Sequence, residues 1–140
     1  GAGPAPGQGP PAPGMQLTVT FDPDHSFSRN NRIRKQTEFS AIYEQGAKLD
    51  AALFVLYYRR NPFAHHRLGT TVSRKIGGAV VRNRVKRLYR EVFRRNKPLG
   101  EPHFDLVLNA RKAAATATYT ELEREYRIKL ERLPWQDAST

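Results

Sequence analysis

Ten basic side chains within 25 consecutive residues form the part of this sequence with the most definite chemistry. Residues 73–97 carry these ten bases and a single acid, Glu91, so they supply +9 of the formal net charge of +11. Most of the ten are arginines, whose planar guanidinium can hold a pair of phosphate oxygens or stack on a base. The stretch therefore predicts binding to a polyanion, with nucleic acid as the first candidate.

The spacing within this stretch predicts a helix over residues 80–95 with one narrow apolar face. That face consists of Val81, Val85, Leu88 and Val92. Arg82, Lys86 and Arg90 follow each other at intervals of four on another side, where like charges repel and a bound anion would offset the repulsion. A solvated surface helix is the plain alternative. A membrane-surface helix is disfavoured, because valine gives the apolar face little bulk.

The rest of the composition narrows the classes of function. The chain of 140 residues is long enough for one domain with one hydrophobic core. Cysteine is absent, which excludes disulfides, thiolate catalysis and cysteine-ligated zinc. Neither a targeting signal nor an apolar run of the roughly 20 residues that span a bilayer is found. A cytoplasmic protein without a membrane partner is therefore expected.

No constellation of side chains indicates that the polypeptide performs chemistry by itself. The four histidines lack neighbouring acids at the spacing of metal ligands. Neither a Ser/His/Asp arrangement nor a phosphate-binding loop pattern is present. We therefore expect no catalytic residue and no metal ligand in this chain.

The elements that must position the basic helix follow from apolar spacing and turn residues. Phe39, Ile42 and Tyr43 predict a first helix over residues 37–45, which Gly46 ends. Strands are predicted over 53–59, 67–73 and 104–109, with a further short strand near 46–51. The first two of these strands are expected to run antiparallel.

A closing helix is predicted from about Thr118. Thr118 with Glu121, or Thr120 with Glu123, would form a capping box at its start. Its apolar stripe consists of Leu122, Tyr126, Leu130 and Leu133. The alternation of helices and strands is typical of an α+β sandwich in which helices pack on a single sheet.

Composition also divides the chain into segments. Residues 1–14 contain only Gly, Ala, Pro and Gln. They are predicted to be a disordered tail, because such a segment cannot bury enough apolar surface to order itself. Residues 15–32 are expected to form an N-terminal extension that lies over the domain. The folded domain is expected at residues 33–134, with a C-terminal tail at 135–140.

The sequence around the basic helix resembles a known family. SRKIGGAVVRNRVKRLYRE, residues 73–91, resembles the signature of the protein subunit of bacterial ribonuclease P, which centres on an Arg-Asn-Arg triplet. RIRKQTEFSAIYEQGAKL is similar to the first helix of that family and LFVLYY to its aromatic strand. FDLVLNARKAAATATYTELE is similar to its last strand and closing helix. The resemblance extends over residues 29–133.

The resemblance implies an α+β fold with the order α-β-β-β-α-β-α, in which a four-stranded sheet packs with helices and a left-handed β-α-β crossover carries the basic helix. It also implies the protein subunit of ribonuclease P, an endoribonuclease that removes the 5′ leader from precursor tRNA. By this resemblance, the catalytic centre and most of the bound Mg²⁺ belong to the RNA subunit. The protein is expected to bind that RNA, one protein per RNA, to contact the leader and to improve metal affinity.

The resemblance assigns roles to particular residues. The residues expected to contact the catalytic RNA are Arg74, Lys75, Arg82, Asn83, Arg84, Lys86, Arg87 and Arg90. A cleft for the leader is expected between the first helix and the sheet. Its expected residues are Phe39, Tyr43, Tyr57, Arg34, Lys35 and Arg59. Aromatic rings beside a positive track hold single-stranded RNA, and the alternative is that these rings are ordinary members of the core. Asn109 departs from the family pattern, which favours an aliphatic residue at this edge of the cleft.

Two other classes of nucleic-acid-binding protein fit part of the sequence. A structural ribosomal or ribosome-assembly RNA-binding protein would have similar charge and size. It would account for neither the 19-residue signature nor the aromatic positions. A double-stranded DNA-binding protein would place base-reading side chains near the helix N-terminus, where Gly77, Gly78, Ala79 and Val80 stand instead.

Overall fold

The computed structural model of the chain describes residues 19–136. The predicted tail at 1–14 and the end of the C-terminal tail lie outside this range. Within it, helices and strands follow the order α-β-β-β-α-β-α, which confirms the expected α+β fold. The helices are α1 (Gln36–Gln45), α2 (Ala79–Arg95) and α3 (Tyr119–Leu130), and the strands are β1 (Ala47–Asp50), β2 (Phe54–Arg60), β3 (Arg67–Thr71) and β4 (Phe104–Ala110). None of these helices is long and apolar enough to cross a membrane.

The four strands form one mixed sheet with the order β1-β2-β4-β3. β4 is antiparallel to β2 and parallel to β3. β2 and β3 therefore run in opposite directions, as the sequence predicts, but they are not neighbours, because β4 lies between them. The side chains of β4 from Phe104 to Leu108 are all buried, as expected for an inner strand that is covered on both faces.

α2 lies in the connection between β3 and β4, which are parallel neighbours. This β3-α2-β4 unit is a β-α-β crossover between parallel strands, and it carries the basic helix. Val72 and Ile76 are buried in the loop that leads from β3 into α2. That loop is therefore held against the core, and it fixes the point at which the basic helix begins.

Side chains of β4 alternate between two hydrophobic clusters on opposite faces of the sheet. Leu106 and Leu108 belong to the larger cluster, to which α2 and α3 contribute. Val107 belongs to a smaller cluster, to which α1 contributes Ile42. The basic helix and the first helix therefore lie on opposite faces of the sheet, and each has its own surface.

The buried face of α2 is wider than the predicted narrow stripe. Val85 and Val92 are buried as predicted, whereas the other two residues of the stripe are only partly buried. Tyr89 and Phe93, which the stripe omits, are fully buried. The difference arises because α2 packs against α3 as well as against the sheet, so a second row of its side chains is covered.

α3 begins with the capping box that the sequence predicts. The Thr118 hydroxyl accepts a hydrogen bond from the Glu121 amide (3.2 Å), and the Glu121 carboxylate accepts one from the Thr118 amide (2.9 Å). The predicted stripe is buried at Leu122, Tyr126, Leu130 and Leu133. The capping box and the stripe together fix the start and the rotation of this helix.

Residues 19–32, here called the N-terminal strap, pack along the C-terminal end of α2. The Asp22 amide donates to the Lys97 carbonyl (2.8 Å) just beyond the helix. The Phe27 ring meets the Phe93 ring edge to face, with centroids 5.7 Å apart. The strap therefore completes the burial of Phe93, and it leaves the N-terminal part of α2 uncovered.

Candidate RNA-binding surfaces

The polar side of α2 and the loop before it present the eight residues assigned above to RNA contact, here called the basic surface. Its members are Arg74, Lys75, Arg82, Asn83, Arg84, Lys86, Arg87 and Arg90. All eight are exposed or partly exposed. Within residues 19–136, none of its cations forms an ion pair. A polyanion bound here would therefore meet charge that the protein does not itself neutralise.

Arg84 differs from the rest of this surface, because its guanidinium bonds to the protein. Its Nη1 donates to the Ala115 carbonyl (3.1 Å) and its Nη2 to the Ala117 carbonyl (2.7 Å). These carbonyls lie at the end of a short 3-10 helix, Lys112–Thr116, where backbone acceptors lack helical donors. Arg84 therefore ties α2 to the segment that leads into α3, a role that the sequence analysis missed.

Arg82, the first arginine of the triplet, has no such partner. Its Nε is buried and makes no hydrogen bond to any residue in the described range. A buried donor without an acceptor costs free energy. Of the two arginines, Arg82 is the one whose guanidinium is available to a ligand.

At the C-terminal end of α2, Glu91 offsets part of the positive charge. Glu91 accepts a hydrogen bond from Arg94 Nε (2.8 Å) and lies 3.3 Å from Arg95 Nε. The hydrogen bond from Arg94, aided by the charges of both arginines, holds the pKa of Glu91 below its usual value. The single acid of the stretch thus leaves the positive charge concentrated on the first turns of the helix.

On the opposite face of the sheet, α1 and β2 bring together the three aromatic residues of the predicted cleft, here called the aromatic patch. The Tyr43 and Tyr57 rings meet edge to face with centroids 4.8 Å apart, and Phe39 lies 6.4 Å from Tyr43. All three are partly buried and pack on the smaller hydrophobic cluster. The patch is therefore both part of the core and part of the surface, so the two interpretations of these rings are compatible.

Asn109, the departure from the family pattern, supports this patch. Its Oδ1 accepts a 2.9 Å hydrogen bond from the Tyr43 hydroxyl. The Thr71 hydroxyl also lies 2.9 Å from the phenol oxygen. Thr71 is the donor there, because the single phenol hydrogen is used on Asn109. The polar residue at the edge of the patch therefore fixes the tyrosine in place.

The three cations predicted beside the patch take different positions. Arg34 and Lys35 are exposed just before α1. Arg59 donates to Gln45 Oε1 (2.8 Å), so it joins β2 to the last turn of α1. Among residues 19–136, Arg34 and Lys35 form no ion pair at one end of α1, whereas Arg59 is engaged at the other.

An open cavity of about 170 Å³ connects the aromatic patch with the basic surface. Its lining includes Phe39 from the patch, Arg90 from the basic surface, and Arg32 and Arg34 from the strap and the chain that follows it. β3 is an edge strand and also lines this cavity. The two surfaces lie on opposite faces of the sheet, but they meet around its β3 edge.

An ion network that the sequence analysis missed lies at the start of α1. Arg67 donates to both oxygens of Asp105 (2.7 Å each) and to Glu38 (3.0 Å). Asp105 is fully buried and also accepts from Asn61 (2.8 Å). The hydrogen bond to Asp105, more than any other contact, raises the pKa of Arg67. Asp105 could have indicated this network in the sequence, because an acid within an apolar strand requires a cationic partner.

His66 is buried, and its hydrogen bonds fix its neutral form. Its Nδ1 accepts from the Phe104 amide (3.0 Å), so Nε2 carries the ring hydrogen and donates to the Pro98 carbonyl (3.0 Å). Burial above all lowers the pKa of His66 to about 4. Across residues 19–136, no group of three or more His, Cys, Asp or Glu side chains is placed to hold a metal ion.

The sequence and the fold are both similar to those of one protein family. A family model described as Ribonuclease P matches residues 27–134. The ribonuclease P protein component of Clostridium kluyveri is 45% identical over 93 residues, which cover 65% of this chain and 83% of the relative. The solved RNase P protein of Staphylococcus aureus has a TM-score of 0.65 and 34% identity, covering 73% of this chain and 94% of that one. The solved RNase P protein of Thermotoga maritima has a TM-score of 0.66 and 34% identity, covering 73% and 96%.

Proposed function

The chain belongs to the ribonuclease P protein family and is a subunit of a tRNA-processing ribonuclease, and from this premise we propose how it serves that enzyme. The basic surface binds the catalytic RNA, with one protein per RNA. The aromatic patch binds the single-stranded 5′ leader of precursor tRNA and so assists removal of the leader. The observation that carries the proposal is the assembly of Phe39, Tyr43 and Tyr57 into one partly exposed patch, with Arg34 and Lys35 exposed just before α1.

The uncompensated charge on α2 supports its assignment to the catalytic RNA. Arg82, Lys86 and Arg90 repeat at intervals of four on one helix, where their mutual repulsion is unfavourable without an anion. RNA phosphates supply that anion, and the release of their counterions drives binding. Folded RNA also presents phosphates and 2′-hydroxyls that a protein can recognise by shape.

The aromatic patch suits an unpaired strand. Bases in a duplex are stacked on one another, whereas unpaired bases can stack on exposed rings with a gain of roughly 1–3 kcal/mol per base. Arg34 and Lys35 stand exposed where a phosphate backbone would continue. Mature tRNA lacks the leader, so this surface distinguishes substrate from product. The alternative of a structural ribosomal protein rests on charge and size alone, and the family assignment replaces it.

The residues of this chain contribute binding and orientation, and the proposal assigns the cleavage step to the RNA subunit. Mg²⁺ held by that RNA would activate the attacking water. The basic surface fixes the RNA and the aromatic patch fixes the leader, so the scissile bond is held near the catalytic centre. The benefit of the protein should therefore be largest when Mg²⁺ is scarce. We expect the protein in the cytoplasm, where precursor tRNA is made.

Reconstitution tests this function. The protein is added to bacterial ribonuclease P RNA and labelled precursor tRNA over a range of Mg²⁺ concentrations, and the rate of leader removal is measured with and without protein. We expect stimulation at low Mg²⁺ that fades as Mg²⁺ rises. The same complexes should bind precursor tRNA more tightly than mature tRNA. Absence of stimulation at every Mg²⁺ concentration would overturn the proposal.

A further inference from the structure

α1 carries two of the three rings of the aromatic patch, yet the sequence of this helix gives it little stability of its own. The helix has ten residues, fewer than the roughly 12–15 that an isolated helix needs for stability in water. Its N-cap residue, Lys35, makes no side-chain capping bond, and Ile42 is its only buried residue. The orientation of α1 must therefore come from contacts with the sheet.

One of these contacts is the ion pair in the first turn. Glu38 accepts a 3.0 Å hydrogen bond from Arg67 Nη1, while both oxygens of Asp105 hold the same guanidinium. Arg67 and Asp105 are paired across β3 and β4, and the Phe63 ring covers the guanidinium at 4.7 Å. Arg67 is therefore a fixed and partly desolvated point on the sheet, to which Glu38 attaches the helix.

A second contact fixes the other end of α1. The Tyr43 hydroxyl is bonded to Asn109 and Thr71 on the sheet. Phe39 lies between the two attachments, with its ring over Gly69, where a Cβ would come within 2.7 Å of the ring. Two attachments more than one turn apart set the tilt and the rotation of the helix, and so determine how its rings face solvent.

The negative charge of Glu38 is unfavourable for binding RNA at the aromatic patch. The Glu38 side chain is 30% exposed, so its carboxylate still repels a bound polyanion. We propose, on the basis of the function proposed above, that Glu38 is a positioning residue for leader binding. Through Arg67 and Asp105 it holds α1 at the angle that presents Phe39 and Tyr43 to the leader.

Positioning and electrostatics predict opposite effects for the same substitution. Glu38→Ala removes a negative charge beside the RNA, so electrostatics alone would tighten the binding of precursor tRNA. Positioning predicts that Glu38→Ala weakens it. Glu44→Ala is the matched control, because Glu44 is exposed on the same helix and forms no ion pair within the described range. This control should bind precursor tRNA as tightly as the wild type, or more tightly.

The measurement uses the complex of full-length protein with ribonuclease P RNA, and it compares the Kd for precursor tRNA with the Kd for mature tRNA. We expect Glu38→Ala to reduce the preference for precursor tRNA by about tenfold, the equivalent of roughly one stacked base. The affinities for mature tRNA and for the catalytic RNA should stay as in the wild type. Glu38→Gln keeps an oxygen acceptor for Arg67 and should restore most of the preference.

The outcomes separate this inference from the function on which it rests. If the wild-type complex shows no preference for precursor tRNA, the proposed function fails and the inference fails with it. If the wild type shows the preference and Glu38→Ala retains it, only the positioning role is overturned. A parallel loss of affinity for all three RNAs, with a lower free energy of unfolding, would assign Glu38 to general stability and also overturn the inference.

Discussion

The Tyr43 hydroxyl donates a 2.9 Å hydrogen bond to Oδ1 of Asn109. This side chain therefore attaches the first helix to the inner strand β4, and it also contributes a ring to the aromatic patch. Its ring also meets Tyr57 edge to face. The hydroxyl and the ring of Tyr43 therefore have separate roles, one in holding α1 and one in the exposed surface. Two substitutions at this position separate the roles.

Tyr43→Ala should weaken the binding of precursor tRNA by about tenfold, because it removes a ring on which a leader base can stack. Tyr43→Phe keeps that ring but gives up one of the two attachments of α1, so it should lose less affinity than Tyr43→Ala. Its loss of the bond to Asn109 should lower the free energy of unfolding by about 1 kcal/mol. Binding titrations with precursor and mature tRNA, together with urea unfolding, measure both effects. Equal losses for the two tRNAs in Tyr43→Ala would assign Tyr43 to the core alone.

Arg82→Ala should affect RNA binding, whereas Arg84→Ala should affect the stability of the fold. Arg82 forms no ion pair with any residue of the described part of the chain, so Arg82→Ala should weaken binding to the catalytic RNA and reduce the slope of log affinity against log salt by about 1. Arg84→Ala leaves two backbone carbonyls without their donor, so it should lower the free energy of unfolding by about 1–3 kcal/mol. Salt titrations of RNA binding and urea unfolding distinguish the two variants.

Arg132→Ala is the control for this pair, since Arg132 is exposed and lies outside both surfaces. It changes the net charge by the same amount and should alter neither the salt slope nor the stability. If Arg84→Ala reduced the salt slope as much as Arg82→Ala and left unfolding unchanged, Arg84 would be an RNA contact. The division between the two arginines would then be wrong.

His66 should make the protein less stable in mild acid. Burial, with a contribution from His103, lowers the pKa of His66 to about 4 in the folded chain, whereas an unfolded chain has a histidine pKa of about 6.5. Between these values the unfolded chain binds a proton that the folded chain does not. The free energy of unfolding therefore falls as the pH drops from about 6.5 towards 4, with a full loss of about 3 kcal/mol.

Urea unfolding at a series of pH values measures this dependence. His66→Gln keeps a polar side chain that does not titrate in this range. It should be less stable at neutral pH and should show a flatter dependence below about pH 6.5. His25→Gln changes an exposed histidine and should leave the profile as in the wild type. An unchanged slope in His66→Gln would assign the acid sensitivity to another group.

Tyr89 and Tyr126 should respond oppositely to removal of the hydroxyl. The Tyr89 hydroxyl donates to the Leu53 carbonyl (2.9 Å), whereas the buried Tyr126 hydroxyl has no partner within the described range. Tyr89→Phe should cost about 1–2 kcal/mol, because it leaves a carbonyl unpaired. Tyr126→Phe removes an unsatisfied group and should be neutral or stabilising by up to about 1 kcal/mol. Thermal and urea unfolding compare the two, and a larger loss in Tyr126→Phe would contradict this assignment.

Those features that depend on neighbouring residues could be predicted from the sequence. Thr118 and Glu121 form a capping box through contacts within one helical turn, so their spacing predicts the start of α3 as one of two alternatives, and the structure selects it over Thr120 with Glu123. Phe39 and Tyr43 are four apart and share a face on any helix. The addition of Tyr57, from another element, required the resemblance to a known family.

Features that depend on distant parts of the chain could not be predicted. The carbonyls that bind Arg84 lie 31 and 33 residues further along. Nothing near Arg84 therefore distinguishes it from Arg82. Glu38 and Arg67 are 29 residues apart, and their pairing depends on where α1 lies on the sheet. The position of β4 between β2 and β3 likewise depends on the burial of whole strands and not on any turn signal.

That position of β4 has a consequence for the synthesis of the protein. β4 is the last strand in the chain, yet it lies between β2 and β3 and supplies side chains to both faces of the sheet. Until residues 104–110 leave the ribosome, neither α1 nor α2 has a complete sheet to pack on. A chain that ends at Gly100 should therefore show no cooperative unfolding by circular dichroism. During translation the basic surface and the aromatic patch would therefore form together, and a nascent chain would not present one without the other.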